Sequence, residues 1–258
     1  EDVFSATCMP GKMKYYLRKA AVRSEPFFAY VAFLAVHIPV QAPRKYTEKY
    51  IDTYAEGWDA IREKRWQRAQ DLGLVREGAP LADLSETIPD WGSLSEDEQR
   101  LAAKSLAVNA GALEAMDAEL GHLIDALKSS GDYENTVFIV TSDNGPEAGD
   151  AWGTAGQVWF DLHGYEREYD TLGERRSWVA IGPGGAAAAA GPNHLFKFHA
   201  GDGGLRVPLI VSGPSLPQSQ TMTAFTTMAD IAPTILELAG ISETLPNDTK
   251  PMTGKSLS

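Results

Sequence analysis

Thr136-Val137-Phe138-Ile139-Val140-Thr141-Ser142-Asp143-Asn144-Gly145 is the stretch on which the fold turns. Its first six residues are β-branched or aromatic, the pattern of a strand buried on both faces of a parallel sheet. The run then breaks into a turn-forming, oxygen-rich segment that ends in Gly145-Pro146. Ligands of open α/β sheets sit beyond the carboxyl ends of the strands. Asp143 and Asn144 stand at such an end and offer a carboxylate beside an amide oxygen, the donors that hard cations such as calcium and magnesium prefer. An Asp-Asn-Gly is also an ordinary turn, and only its place after a buried strand favours the metal reading.

Upstream, Ser95-Glu96-Asp97-Glu98 reads as a helix start, a serine cap with acids in the first turn. The predicted helix runs over 96–129, with Leu101, Leu106, Leu113, Leu120 and Leu127 along it, and Gly131 ends it. A charged helix is predicted over 46–76 and a basic one over 13–23. Between them, residues 27–36 (FFAYVAFLAV) predict a second buried central strand, with His37 at its carboxyl end. Downstream, 149–176 is irregular, 178–181 predicts a short strand, and 186–190 one or two helical turns. Residues 207–211 predict a third strand and 230–239 a helix ended by Gly240. Strands alternating with long helices place the chain in the α/β class, a largely parallel sheet flanked by helices.

Composition narrows the partners. Of 258 residues 43% are hydrophobic and 22% charged, and the net charge is −12. So acidic a surface repels nucleic-acid phosphates and anionic lipid, so neither a nucleic acid nor a membrane is expected as partner. An anionic substrate needs local cations or a bound metal. The longest apolar run is too short to span a bilayer. The single cysteine, Cys8, rules out an intrachain disulfide framework. No leader peptide is visible, and periplasm and cytoplasm stay open. His37 at a strand end is either a packing residue or a catalytic one. Lys197 draws notice because the glycine-rich Gly201-Asp202-Gly203-Gly204 behind it permits close approach of a ligand.

Taken in order, these segments resemble type I sulfatases of the alkaline-phosphatase-like superfamily. Pro26-Phe27-Phe28-Ala29-Tyr30 with His37-Ile38-Pro39 is similar to the segment that supplies an active-site histidine. Residues 136–145 look like the strand and metal loop. Lys197, followed by Gly203-Gly204-Leu205-Arg206-Val207-Pro208, resembles the lysine and Gly-Gly-x-Arg-x-Pro stretch. Asp230-Ile231-Ala232-Pro233-Thr234 resembles the late helix, and 177–197 looks most like bacterial arylsulfatases.

The resemblance implies an alkaline-phosphatase-like fold, incomplete in this chain, with 1–258 as the C-terminal part of a catalytic domain. It implies calcium on Asp143 and Asn144. Lys197 would bind sulfate oxygens and stabilise charge on the leaving group; His37 would contact the ester and donate a proton. The expected substrate is a small-molecule sulfate ester. Members of this family carry a formylglycine nucleophile made in a C/S-x-P-x-R motif, with further metal-binding aspartates, nearer the N-terminus. Cys8-Met9-Pro10-Gly11-Lys12 matches that motif only in Cys and Pro: Lys12 cannot give the bidentate geometry of arginine, and no Asp-Asp pair precedes it. It reads as an ordinary cysteine, the motif as absent, and the isolated chain as inactive. A missing N-terminal half or self-association is then expected to cover bare apolar surface.

A phosphonate or phosphate ester hydrolase of the same superfamily, or a non-catalytic anion- or metal-binding remnant, are the alternatives. Arg206 is expected to brace its loop through a carboxylate rather than touch substrate. Trp152, Trp159, Tyr165 and Tyr169 are either an aryl pocket or packing. His163 and His199 read as surface or core.

Overall fold

A computed structural model describes residues 4–23, 25–150, 156–214, 216, 217, 219–241 and 250–257. The chain forms two compact units, Glu1–Pro214 and Ser215–Ser258.

In the first unit the spine is α4 (Glu96–Ser130), preceded by α1 (Ser5–Arg23), α2 (Arg44–Thr47) and α3 (Gly57–Asp71) and followed by the short α5 (Gln157–Leu162). A reciprocal cap starts α4. Ser95 Oγ accepts from the Glu98 amide at 3.4 Å, and Glu98 Oε2 accepts from the Ser95 amide at 2.8 Å. Gly131, at φ 83°, closes it. The Ser95 hydroxyl, then its amide, holds the Glu98 carboxyl below its ordinary value. A depressed folded-state pKa contributes stability above the unfolded value and loses it as pH falls through the folded one. Ser95→Ala should therefore lower Tm by about 2–4 °C at pH 7 and by less at pH 3. Thermal melts at the two pH values check this, and an equal loss at both would remove Glu98 from the account.

The inner face of α4 supplies the core. Leu106 and Ala107 pack with Tyr54, Trp58, Ile61, Phe196 and the alanines of α6 (Gly182–Ala190). Val108 and Ala112 pack with Val40, Ala42, Leu172 and Val179. The predicted charged helix over 46–76 is broken instead into α2, two 3-10 turns and α3. The break falls at Gly57, whose φ of 87° lies outside the helical range and whose bare Cα faces the Trp91 ring.

The sheet differs most from expectation. Among the described residues it has two strands, β1 (Phe138–Thr141) and β2 (Leu209–Ser212), and they run antiparallel, with Phe138 opposite Ser212 and Thr141 opposite Leu209. A largely parallel sheet is thus not confirmed among the described residues. The Gly145 amide donates to the Gly204 carbonyl at 2.9 Å, so the chain re-enters the sheet beside the place where β1 left it. Residues 27–36 are not a buried strand. No strand pairs with them among the described residues, and Phe28 is 70% and Tyr30 80% exposed. An apolar run becomes a strand only where a neighbour supplies the ladder. Residues 179–181 are buried and Trp178 is half-buried, but they carry no strand; among the described residues a single isolated bridge joins Glu166 and Ser177. Among the described residues no helix is long and apolar enough to cross a membrane.

In the second unit, α8 (Ile231–Leu238) follows a 3-10 turn over Met228–Asp230. Asp230 ties it to the end of the chain: its carboxylate accepts from the Lys255 amide at 2.8 Å and the Thr227 amide at 2.7 Å. Those two amides, Lys255 first, hold its carboxyl below the usual range.

Candidate functional site

Two loops are stitched together at the end of β1. The first, residues 142–150, leaves the strand through Asp143 and Asn144. The second, residues 194–205, runs from Leu195 into the short helix α7 (Asp202–Leu205). Their main chains are bonded twice, Gly145 N to Gly204 O and Lys197 N to Pro146 O, each at 2.9 Å. A Cβ on Gly145 would lie 1.8 Å from the Gly203 carbonyl oxygen, so the seam admits no side chain there.

The side chains on this seam have distinct environments. Asp143 is exposed, and its carboxylate has no hydrogen bond or ion pair among the described residues. Asn144 spends its amide Nδ2 on the Gly145 carbonyl at 2.9 Å, which leaves its amide oxygen for another partner. The Ser142 hydroxyl donates to the Asn144 carbonyl at 2.9 Å and holds the turn. This donor pair, one free carboxylate and one free amide oxygen, fits a hard cation but fills only part of a shell of six to eight oxygens. Among the described residues there is no group of three or more His, Cys, Asp or Glu that could hold a metal.

Lys197 is enclosed rather than solvated, with 18% of its side chain exposed. Its ammonium pairs with Glu147 Oε2 at 3.0 Å and lies 5.2 Å from the centre of the Phe198 ring. Glu147 Oε1 accepts from the Gly149 amide at 2.6 Å. Further along the loop, Asp150 pairs with Arg167 at 2.7 Å.

The structure thus brings three of the four predicted residues, Asp143, Asn144 and Lys197, onto one seam. His37 is placed apart from that bonding. It is exposed, its amide donates to Leu34 O at 2.7 Å, and its Nδ1 lies 2.8 Å from Ile38 O. No bond among the described residues ties it to Asp143, Asn144 or Lys197. Arg206 is exposed and makes no ion pair among the described residues, so its bracing role is corrected. The carboxylate brace falls to Glu147 on Lys197 instead. The sequence held no signal for that pairing, because the two residues lie far apart and Glu147 reads as one more acid in a polar loop.

The aromatic residues divide. Trp159 stacks on His163 at 4.1 Å and on Tyr165 at 5.8 Å. Tyr169 faces α4 instead, with Arg100 and Lys104 over its ring. Trp152 lies outside the described residues. His199 is exposed, 3.3 Å from the Lys197 carbonyl. Cys8 does not fit the formylglycine position. It is a free, exposed thiol inside α1, two residues before the buried Pro10.

The family model described as Sulfatase matches residues 11–241. An uncharacterized sulfatase of Schizosaccharomyces pombe is 36% identical over 85% of this chain and 40% of its own length. An arylsulfatase of Klebsiella aerogenes is 31% identical over 100% of this chain and 56% of its own length. The chain therefore spans about half the length of the curated relatives it matches. Among solved structures, Ps i-CgsB in complex with a neocarrahexaose superposes with a TM-score of 0.58 at 19% identity, over 99% of this chain and 38% of that one. A phosphonate monoester hydrolase from Silicibacter pomeroyi gives 0.50 at 20% identity, over 98% and 41%. At these identities the structural likeness speaks for the fold alone.

Proposed function

The chain belongs to the sulfatase family, and from that premise we propose that the complete protein hydrolyses sulfate monoesters, this chain alone being inactive, with Asp143 and Asn144 as ligands of a calcium ion and Lys197 as the cation that grips the sulfuryl group. The observation that carries this reading is the double main-chain seam that sets an enclosed lysine beside a loop bearing two free oxygen donors. When bound, a divalent cation would supply Lewis-acid stabilisation of sulfuryl oxygens. The chain's own contribution is preorganisation. Lys197 is fixed at its amide and at its ammonium, so its charge needs no rearrangement as negative charge builds on the ester. His37, exposed and at a turn, is proposed to approach the ester from outside that bonded seam.

The test is calcium binding followed by isothermal titration calorimetry. Calcium should bind the chain, and Asp143→Ala should weaken it at least about tenfold. Equal affinity in the variant would sink the metal assignment. Calcium-dependent turnover of 4-nitrophenyl sulfate by the complete protein, compared with that of 4-nitrophenyl phosphate, then separates a sulfatase from a phosphate ester hydrolase. The name of the Klebsiella relative supports the aryl ester as first probe.

A further inference from the structure

We propose that Glu147 is the residue that biases this site toward monoanionic sulfate esters and against dianionic phosphate esters, an inference that rests on the sulfate ester reading above. Glu147 is held at both oxygens. Oε2 pairs with Lys197 at 3.0 Å and Oε1 accepts the Gly149 amide at 2.6 Å. Only 11% of its side chain is exposed. A carboxylate anchored twice does not swing aside when an anion reaches the ammonium, so its negative charge stays within a few ångströms of the ligand.

The consequence follows from charge. A sulfate monoester carries one negative charge on its sulfuryl group. A phosphate monoester carries two above its second pKa of about 6. Each ligand gains from Lys197 and from a bound cation in proportion to its charge, and each is repelled by Glu147 in the same proportion. With Glu147 in place the site holds less net positive charge, and the dianion loses more than the monoanion. For one extra charge a few ångströms away, in a setting between protein and water, the difference is on the order of tenfold in affinity. Glu147 also positions Lys197, but positioning alone would change both affinities alike. The ratio of the two isolates the electrostatic role.

The experiment measures binding of 4-nitrophenyl sulfate and 4-nitrophenyl phosphate to the chain by calorimetry at pH 8 with calcium present. Glu147→Gln should raise the phosphate-to-sulfate affinity ratio about tenfold. Glu147→Asp keeps the charge and should leave the ratio within about twofold, even where it weakens both ligands. A Glu147→Gln ratio equal to that of the unaltered chain overturns the inference while leaving the sulfate ester reading intact, provided the sulfate ester still binds in a Lys197-dependent way. If neither ester binds the unaltered chain, that reading fails and the inference with it. Where Glu147→Gln loses its near-ultraviolet circular dichroism, the unaltered chain serves. With an alkyl sulfate and an alkyl phosphate as the pair, lowering the pH from 8 to 5 turns most of the phosphate ester into a monoanion, and discrimination should shrink by about the same factor. Discrimination that persists at pH 5 overturns the proposal.

Discussion

Gly145→Ala should cost about 3 kcal/mol or more of stability and, with it, the calcium affinity of the Asp143–Asn144 loop. The new methyl would stand 1.8 Å from the Gly203 carbonyl oxygen, 2.9 Å from its carbonyl carbon and 3.0 Å from the Gly204 Cα. All three are backbone atoms, so no rotamer change relieves the overlap and the loops must part. Parting them breaks the Gly145–Gly204 bond and strains the Lys197–Pro146 bond, since both cross the same seam. Urea unfolding measures the first effect as a fall in midpoint at unchanged slope. Calorimetry with calcium measures the second. A variant within about 0.5 kcal/mol of the unaltered chain would mean that the two loops are not held together in solution, and would remove the support for a joint site.

That seam also marks the limit of what the residues disclose before the fold is seen. Ser95 and Gly131 announce α4 because capping is a local matter: the groups that satisfy one another lie within a turn. Asp230 before α8 is legible for the same reason. Asp143, Asn144 and Lys197 could be picked out by the segments around them and by resemblance. The partnership that fixes Lys197 could not, because it joins loops on either side of a long irregular stretch. The apolar run 27–36 misled for the opposite reason. Its composition specifies a β-prone surface, but strand formation is a property of a pair, and no partner strand flanks it among the described residues. The antiparallel pairing depends on a neighbour in the same way: the Gly145–Gly204 bond lies beyond the end of β1 and ahead of β2, outside 138–141 and 209–212.

Lys197→Ala, made in the complete protein, should lower kcat/KM of the proposed sulfate ester hydrolysis by about 10²–10³, the range for removing one preorganised donor to developing negative charge. Enclosure makes the effect large, because a charge with 18% of its side chain exposed is screened less than a surface lysine. The same substitution should also destabilise the fold by about 1–3 kcal/mol, since it leaves the Glu147 carboxylate largely enclosed without its cation. The two losses have different origins and separate in the double variant. Adding Glu147→Gln removes the stranded charge and should recover most of the stability, while activity stays at the level of Lys197→Ala. Lys197→Arg should not restore the rate, because a planar guanidinium cannot occupy the site of a compact ammonium held by Glu147 Oε2. Recovery of activity together with stability in the double variant would mean that Lys197 serves only to neutralise Glu147, and the sulfuryl grip would have to be sought elsewhere on the seam.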